Sequence, residues 1–255
     1  MYRSLDPTKI VDTARTLGQR IDERFPGSGL SRVAAELVAV SEEAAGVSSW
    51  LARPHLPLRV LVWLGILLIV VVLITALRTV LATAHAGPAF SSLADMFQGL
   101  DAAVNEVILT GVAIFFLCTL ETRFKRSRAL QAIHVLRCLA HIIDMHQLTK
   151  DPERVCRTEP HADTPSSPRL TLTPLELTRY LDYCSELLAL ISKISAVYVQ
   201  RFSDPVTLTA VNEMEDLTSG LSRKIWQKIM ILDRIAQPGG NSRSAVPAPA
   251  SAAPS

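Results

Sequence analysis

The hydrophobic positions of this chain keep a helical period at both ends and lose it in the middle. Ile10, Ala14, Leu17 and Ile21 recur at helical spacing behind Asp6-Pro7, a capping residue followed by a proline suited to a first turn. Phe25-Pro26-Gly27 closes that segment, and Val33, Leu37 and Val40 form a second stripe that predicts a helix from about Leu30 to Ala45. Pro54 and Pro57 then interrupt the chain. From residue 60 to residue 77 the pattern becomes uniformly apolar, an uncharged run bounded by Arg59 and Arg78. As a helix this run is about 27 Å long, close to the hydrocarbon thickness of a bilayer, and it is the first expected membrane span.

A second expected span covers roughly residues 102–120. Its uncharged core, Val107 to Leu120, is short for a span, but Glu121-Thr-Arg-Phe-Lys-Arg-Ser-Arg128 follows as a basic stop. With two spans, Arg53, Arg59, Arg123, Lys125, Arg126 and Arg128 share one side, and Arg78 alone among Lys and Arg lies in the connecting segment of about 79–101. The positive-inside rule then predicts a multi-pass protein of the cell (inner) membrane with both termini cytoplasmic. Within the connecting segment, Phe90, Leu93, Phe97 and Leu100 predict a short amphipathic helix along the outer interface. The apolar run begins too far from residue 1 for a cleaved leader, so the first span is expected to act as an uncleaved internal signal.

After the second span, Ile133, Leu136, Leu139, Ala140 and Ile143 cluster on one face of a helix over 126–149, read as a continuation of the span. Residues 155–172 have a linker composition with Pro160, Pro165 and Pro168. Thr173-Pro174-Leu175-Glu176 is a capping box that opens a helix carrying Leu177, Leu181, Cys184, Leu188, Ile191 and Tyr198. Asp204-Pro205 opens another, with Val211, Met214, Leu217, Leu221, Ile225, Ile229 and Leu232 as its seam, so the two rods form an antiparallel hairpin. Tyr180, Leu187 and Ile194 widen the first rod's stripe, and the surplus apolar surface must meet residues 126–149, the amino-terminal helices or another copy of the chain. The tail from Pro238 is Pro, Gly, Ala and Ser and is expected to be disordered. The expected class is all-α: two transmembrane helices with a cytoplasmic helical bundle or antiparallel coiled-coil hairpin. The units are an amino-terminal cytoplasmic segment (1–56), the anchor (57–121), a carboxyl-terminal cytoplasmic domain (122–237) and the tail (238–255).

Composition narrows the function. A net charge of +2 over 255 residues, with no basic block interleaved with aromatics, argues against nucleic acid as a partner. The four cysteines, at 118, 138, 156 and 184, form no Cys-x-x-Cys pair, which argues against a disulfide framework or a paired-thiolate zinc module. His134, Cys138 and His141 share one helical face with Met145 a turn further, outside the Ile133/Leu136/Ile143 stripe. Imidazole and thiolate are ligands for zinc or copper, with Asp144 or His146 as conceivable additions, but a structural zinc wants four ligands and no fourth is compelled. His134-Val-Leu-Arg-Cys138 resembles, over five residues, the phosphoacceptor box of sensor histidine kinases; Val135 stands in place of the acidic neighbour and no proline follows, so no phosphotransfer is expected. Glu106 and Asn105 lie in the outer part of the second expected span, where an ionisable group is a candidate site. No phosphate loop or nucleophile elbow occurs.

These readings assign no catalytic, cofactor-binding or metal residue. They predict a non-enzymatic membrane protein, a tethered helical scaffold or signalling adaptor whose partners are the lipid bilayer and either itself or a helical protein, with no small-molecule substrate. The alternatives are an oligomeric pore using Glu106, or a metal or redox sensor in the 134–146 helix. The basic run 123–128 is expected to contact anionic lipid headgroups.

Overall fold

The computed structural model describes residues 4–53, 56–86, 93–152, 172–200 and 202–236. Among them are six helices and no strand: α1 (Pro7–Arg24), α2 (Gly29–Ala52), α3 (Leu56–Ala86), α4 (Leu93–Leu148), α5 (Pro174–Val199) and α6 (Pro205–Ala236).

Local chemistry places the helix starts where the sequence does. Asp6 caps α1 by accepting from the Thr8 backbone N–H at 3.0 Å, and Ser28 caps α2 by accepting from the Ser31 N–H at 3.1 Å. Gly27 joins α1 to α2 with φ at 66°, a left-handed conformation open to glycine at no steric cost. The capping box of α5 is complete: the Thr173 hydroxyl accepts from the Glu176 N–H at 3.3 Å, while Glu176 Oε2 accepts from the Thr173 N–H at 2.8 Å. α2 is longer than its Val33/Leu37/Val40 stripe implies and reaches Ala52, because Ala44, Val47 and Leu51 continue the buried face.

One continuous apolar core unites α1, α2, the second half of α4, α5 and α6. α5 is its centre, packed against all four others, and Leu177, Leu181, Leu188 and Ile191 are fully buried along it. α5 and α6 fold back along one another, so Cys184 lies in the field of Lys228. Tyr180, Leu187 and Ile194, which widen the stripe of the first rod, are thus buried within the chain, whereas Trp226 and Met230 of α6 stay exposed.

Three contacts fix α6 parallel to α4: Arg126 with Asp204, Arg137 with Glu213 at 2.8 Å, and Lys228 Nζ donating to the Gln147 carbonyl at 2.6 Å. α2 runs the other way, its start against His146 and its end against Lys125.

The middle of the chain differs from the expected layout in two respects. The segment 79–101 is mostly not a loop: α3 extends to Ala86 and α4 begins at Leu93, so that Leu93, Phe97 and Leu100 belong to the first turns of α4 rather than to a separate amphipathic helix. The chemistry explains the miss, since Leu-Ala-Asp-Met and the following residues carry no breaker except Gly99. Secondly, among the described residues one helical stretch, Val104–Leu148, is long and apolar enough to cross a membrane, and none of its most apolar window is buried. Arg59–Thr75 is apolar but shorter, so one of the two expected spans meets that measure. The linker of 155–172 lies almost wholly, and the tail from 238 wholly, outside the described residues.

Candidate functional site

Among the described residues α3 packs on α4 alone, and the two are antiparallel: Gly65 faces Leu117, whereas Arg59 reaches Glu121. A Cβ at Gly65 would lie 3.1 Å from Leu117 Cδ1, so glycine permits the close approach there. Val60, Trp63, Leu64 and Leu67 of α3, and Val107, Val112 and Phe115 of α4, are all more than half exposed. A soluble helix buries one stripe of its apolar residues; here they surround the helix and lie open.

A polar collar closes this pair at the bundle. Glu121 accepts from Arg59 Nε at 2.9 Å and pairs with Lys125 Nζ at 2.9 Å. Lys125 is only 8% exposed and also donates to the Arg53 carbonyl at 3.0 Å, where it serves the C-terminal end of α2. The next residue, Arg126, holds Asp204 through Nε at 3.0 Å and Nη2 at 2.7 Å. Asp204 also caps α6, accepting from the Thr207 N–H at 3.0 Å. Burial works to raise its pKa, but the Arg126 and Thr207 hydrogen bonds outweigh that and hold the carboxyl below its usual range. The basic run 123–128 is therefore only partly available to headgroups. Lys125 and Arg126 are spent on internal contacts, Arg123 lies over the Phe116 ring at 5.3 Å, and Arg128 is exposed.

His134, Cys138 and His141 are all exposed on one side of α4, with His134 Nε2 3.8 Å from Cys138 Sγ. His146 is not with them: its ring packs against the Gly29 backbone at the start of α2. Burial, then the Arg32 and Lys150 charges, lower its pKa, so the neutral ring is favoured. Asp144 accepts a hydrogen bond from Gln147 at 2.6 Å. Among the described residues no group of three or more His, Cys, Asp or Glu is placed to hold a metal ion. Glu106 and Asn105 are exposed on the apolar half of α4.

A cleft of about 860 Å³ lies between α1 and α5. Its floor is apolar, with Ile10, Leu17 and Leu190, and Lys9, Arg20, Glu186 and Lys193 stand on its rim. The polar groups inside it are committed elsewhere. Thr13 and Thr16 donate to carbonyls of their own helix, and Asp6 is held below the usual carboxylate range by the Thr8 side chain and backbone. Cys184, buried in the core, is pushed by burial up to about 12 and stays a thiol.

No family model, no curated protein and no solved structure matches this chain. Its function therefore has to be read from the apolar helix pair, the collar and the packed bundle.

The sequence missed the partners rather than the residues. Asp204-Pro205 reads as a helix start, but nothing local names Arg126 as the charge that meets it. Lys228, which donates to the carbonyls of Gln147 and Lys150 at the end of α4, carries no sequence signal at all.

Proposed function

We propose that this is an integral membrane protein in which α3 and the first half of α4 form a two-span anchor, and that the bundle beside them is a non-enzymatic scaffold or adaptor acting through protein contacts. The carrying observation is the antiparallel pair itself, mostly apolar and open to its surroundings over residues 60–74 and 107–116 and closed at one end by Arg59, Glu121 and Lys125. Water would leave that surface unfavourably hydrated, whereas lipid matches it. Antiparallel packing returns the chain to the side it left, so the bundle receives both α2 and the second half of α4. The excess of Lys and Arg at that end supports a cytoplasmic position for the bundle. The adaptor role is supported by a bundle in which Lys125, Arg126, Arg137, Asp204 and Lys228 are committed to capping and inter-helix pairing.

Tags at both termini should survive protease added outside intact cells, and the chain should stay in membranes washed at alkaline pH. Digestion of either tag, or release by the wash, overturns the anchor. Proximity labelling from the bundle in living cells should return the same small set of protein neighbours in repeated trials; labelling indistinguishable from that of an unrelated two-span anchor overturns the adaptor role.

A further inference from the structure

The second half of α4 has two apolar faces and the bundle uses one. Ala129, Ile133, Leu136, Ala140 and Ile143 are buried against the other helices. On the opposite side of the helix, Val135 is 44% exposed, Ile142 39%, Met145 67% and Leu148 63%, with Cys138 exposed among them. Between residues 131 and 148 the sequence holds two permanently charged residues, Arg137 and Asp144, and both are turned aside. Arg137 pairs with Glu213 of α6, and Asp144 accepts from Gln147. The outward face therefore runs for about five turns without Asp, Glu, Lys or Arg. The other helices of the bundle differ: Asp12 and Arg15, Arg32 and Glu42, Arg179 and Lys193, and Arg223 and Lys224 are exposed.

We infer that this face is a homodimer interface, in which the second halves of α4 from two copies of the chain pair in parallel. Gln131, Val135, Cys138, Ile142 and Met145 follow one another at steps of four, three, four and three, the repeat of a coiled-coil seam. β-branched Val135 and Ile142 take the a positions, a choice that favours two parallel strands. An uncharged face is compatible with itself, so a two-fold axis buries no like charges. α4 also stands as a ridge between two clefts: one of about 510 Å³ against α6, reached by His134, and one of about 150 Å³ against α2, reached by Val135. Each cleft can take side chains flanking the partner's seam.

The choice of a second copy over another helical partner rests on the anchor proposed above. α4 is one unbroken helix from the apolar half into the bundle, so two copies in one membrane share orientation and depth. Their faces then stand at the same height, and confinement to the membrane plane raises their effective concentration.

Cys138 lies in the seam and reports on it directly. In membranes containing the full chain with Cys138 as its sole cysteine, copper(II) phenanthroline should oxidise two thiols to one disulfide, taking two electrons and releasing two protons. A single dimer band is expected. Cys118 lies twenty residues earlier, about five and a half turns, and so on nearly the opposite side of α4. A chain keeping Cys118 alone should give little of that product. Ile142→Glu with Met145→Glu in the Cys138-only chain should cut the dimer roughly tenfold or more. Because both positions are exposed in the single chain, the variant should keep the native helical content by circular dichroism. Cys138 that takes up a maleimide but forms no dimer overturns the inference, as does equal crosslinking through Cys118 or a dimer that survives both glutamates. Release of the chain by an alkaline wash would instead sink the anchor, and the Cys138 crosslink is scored separately from it.

Discussion

Arg126 and Asp204 join the start of the bundle half of α4 to the first turn of α6, with Arg126 Nη2 2.7 Å from Asp204 Oδ1. The same carboxylate caps α6 through Thr207, so one buried group serves a tertiary contact and a helix end together. Its loss is felt twice.

Replacing Asp204 by Ala should cost about 1–2 kcal/mol from the cap alone, with more from the orphaned guanidinium. Because the folded pKa lies below the unfolded value, the contribution is complete above pH about 4 and disappears as pH falls through the folded pKa. Melting curves across acid pH for the native chain and for Asp204→Asn check this. The variant should lose less stability on acidification.

His146 acts at milder pH. Its pKa is lowered by burial and by Arg32 and Lys150, so the folded state prefers the neutral ring at the start of α2. Stability from this site is present above the ordinary histidine pKa of about 6.5 and is lost as pH falls through the folded value. His146→Gln should flatten the melting-temperature profile in that window, measured against the native chain in the same detergent.

The central helix gives a contrast in burial. Leu188 is completely buried and Leu175, on the same helix, is 68% exposed. Leu188→Ala should destabilise the bundle by about 2–5 kcal/mol and Leu175→Ala by less than about 0.5 kcal/mol. Denaturant unfolding of the two variants distinguishes them.

Cysteine reactivity should divide by position. Cys138 is exposed in the single chain and should take up a maleimide when the chain is monomeric, as in the Ile142→Glu/Met145→Glu variant, whereas Cys184 is fully buried with its thiol held protonated and should react only after denaturation. Mass measurement of labelled peptides before and after unfolding reads this out.

The antiparallel contact of α3 with α4 can be trapped. Cysteines replacing Gly65 and Leu117 in a chain otherwise free of cysteine should form an intrachain disulfide, because the two positions touch. Cysteines replacing Gly65 and Val107, almost three helical turns away along α4, should not. A mobility shift under non-reducing conditions separates the two results.

Local signals along the chain were sufficient for the helix starts. Asp6-Pro7, the Thr173–Glu176 box and Asp204-Pro205 each satisfy orphan N–H groups within one turn, so three or four neighbouring residues define them. The buried stripe of Ile133, Leu136, Ala140 and Ile143 was equally legible, since periodicity depends only on the helix that carries it. The basic run after the second apolar stretch was legible as a charge count but not as chemistry. Lys125 and Arg126 look like Arg123 and Arg128 in sequence, yet the first two are spent inside the fold.

By itself the sequence determined that this chain is helical, where most of its helices begin, and that its middle is too apolar for a water-facing surface. Those properties come from residues within a turn or two of each other. Only the tertiary structure decided that α5 sits at the centre, that Arg126 meets Asp204 and that α4 carries a second, uncovered apolar face. Each of those depends on which helix lies alongside which, and that is set by the joint burial of faces up to about 150 residues apart, as when Ser48 meets the Val197 carbonyl.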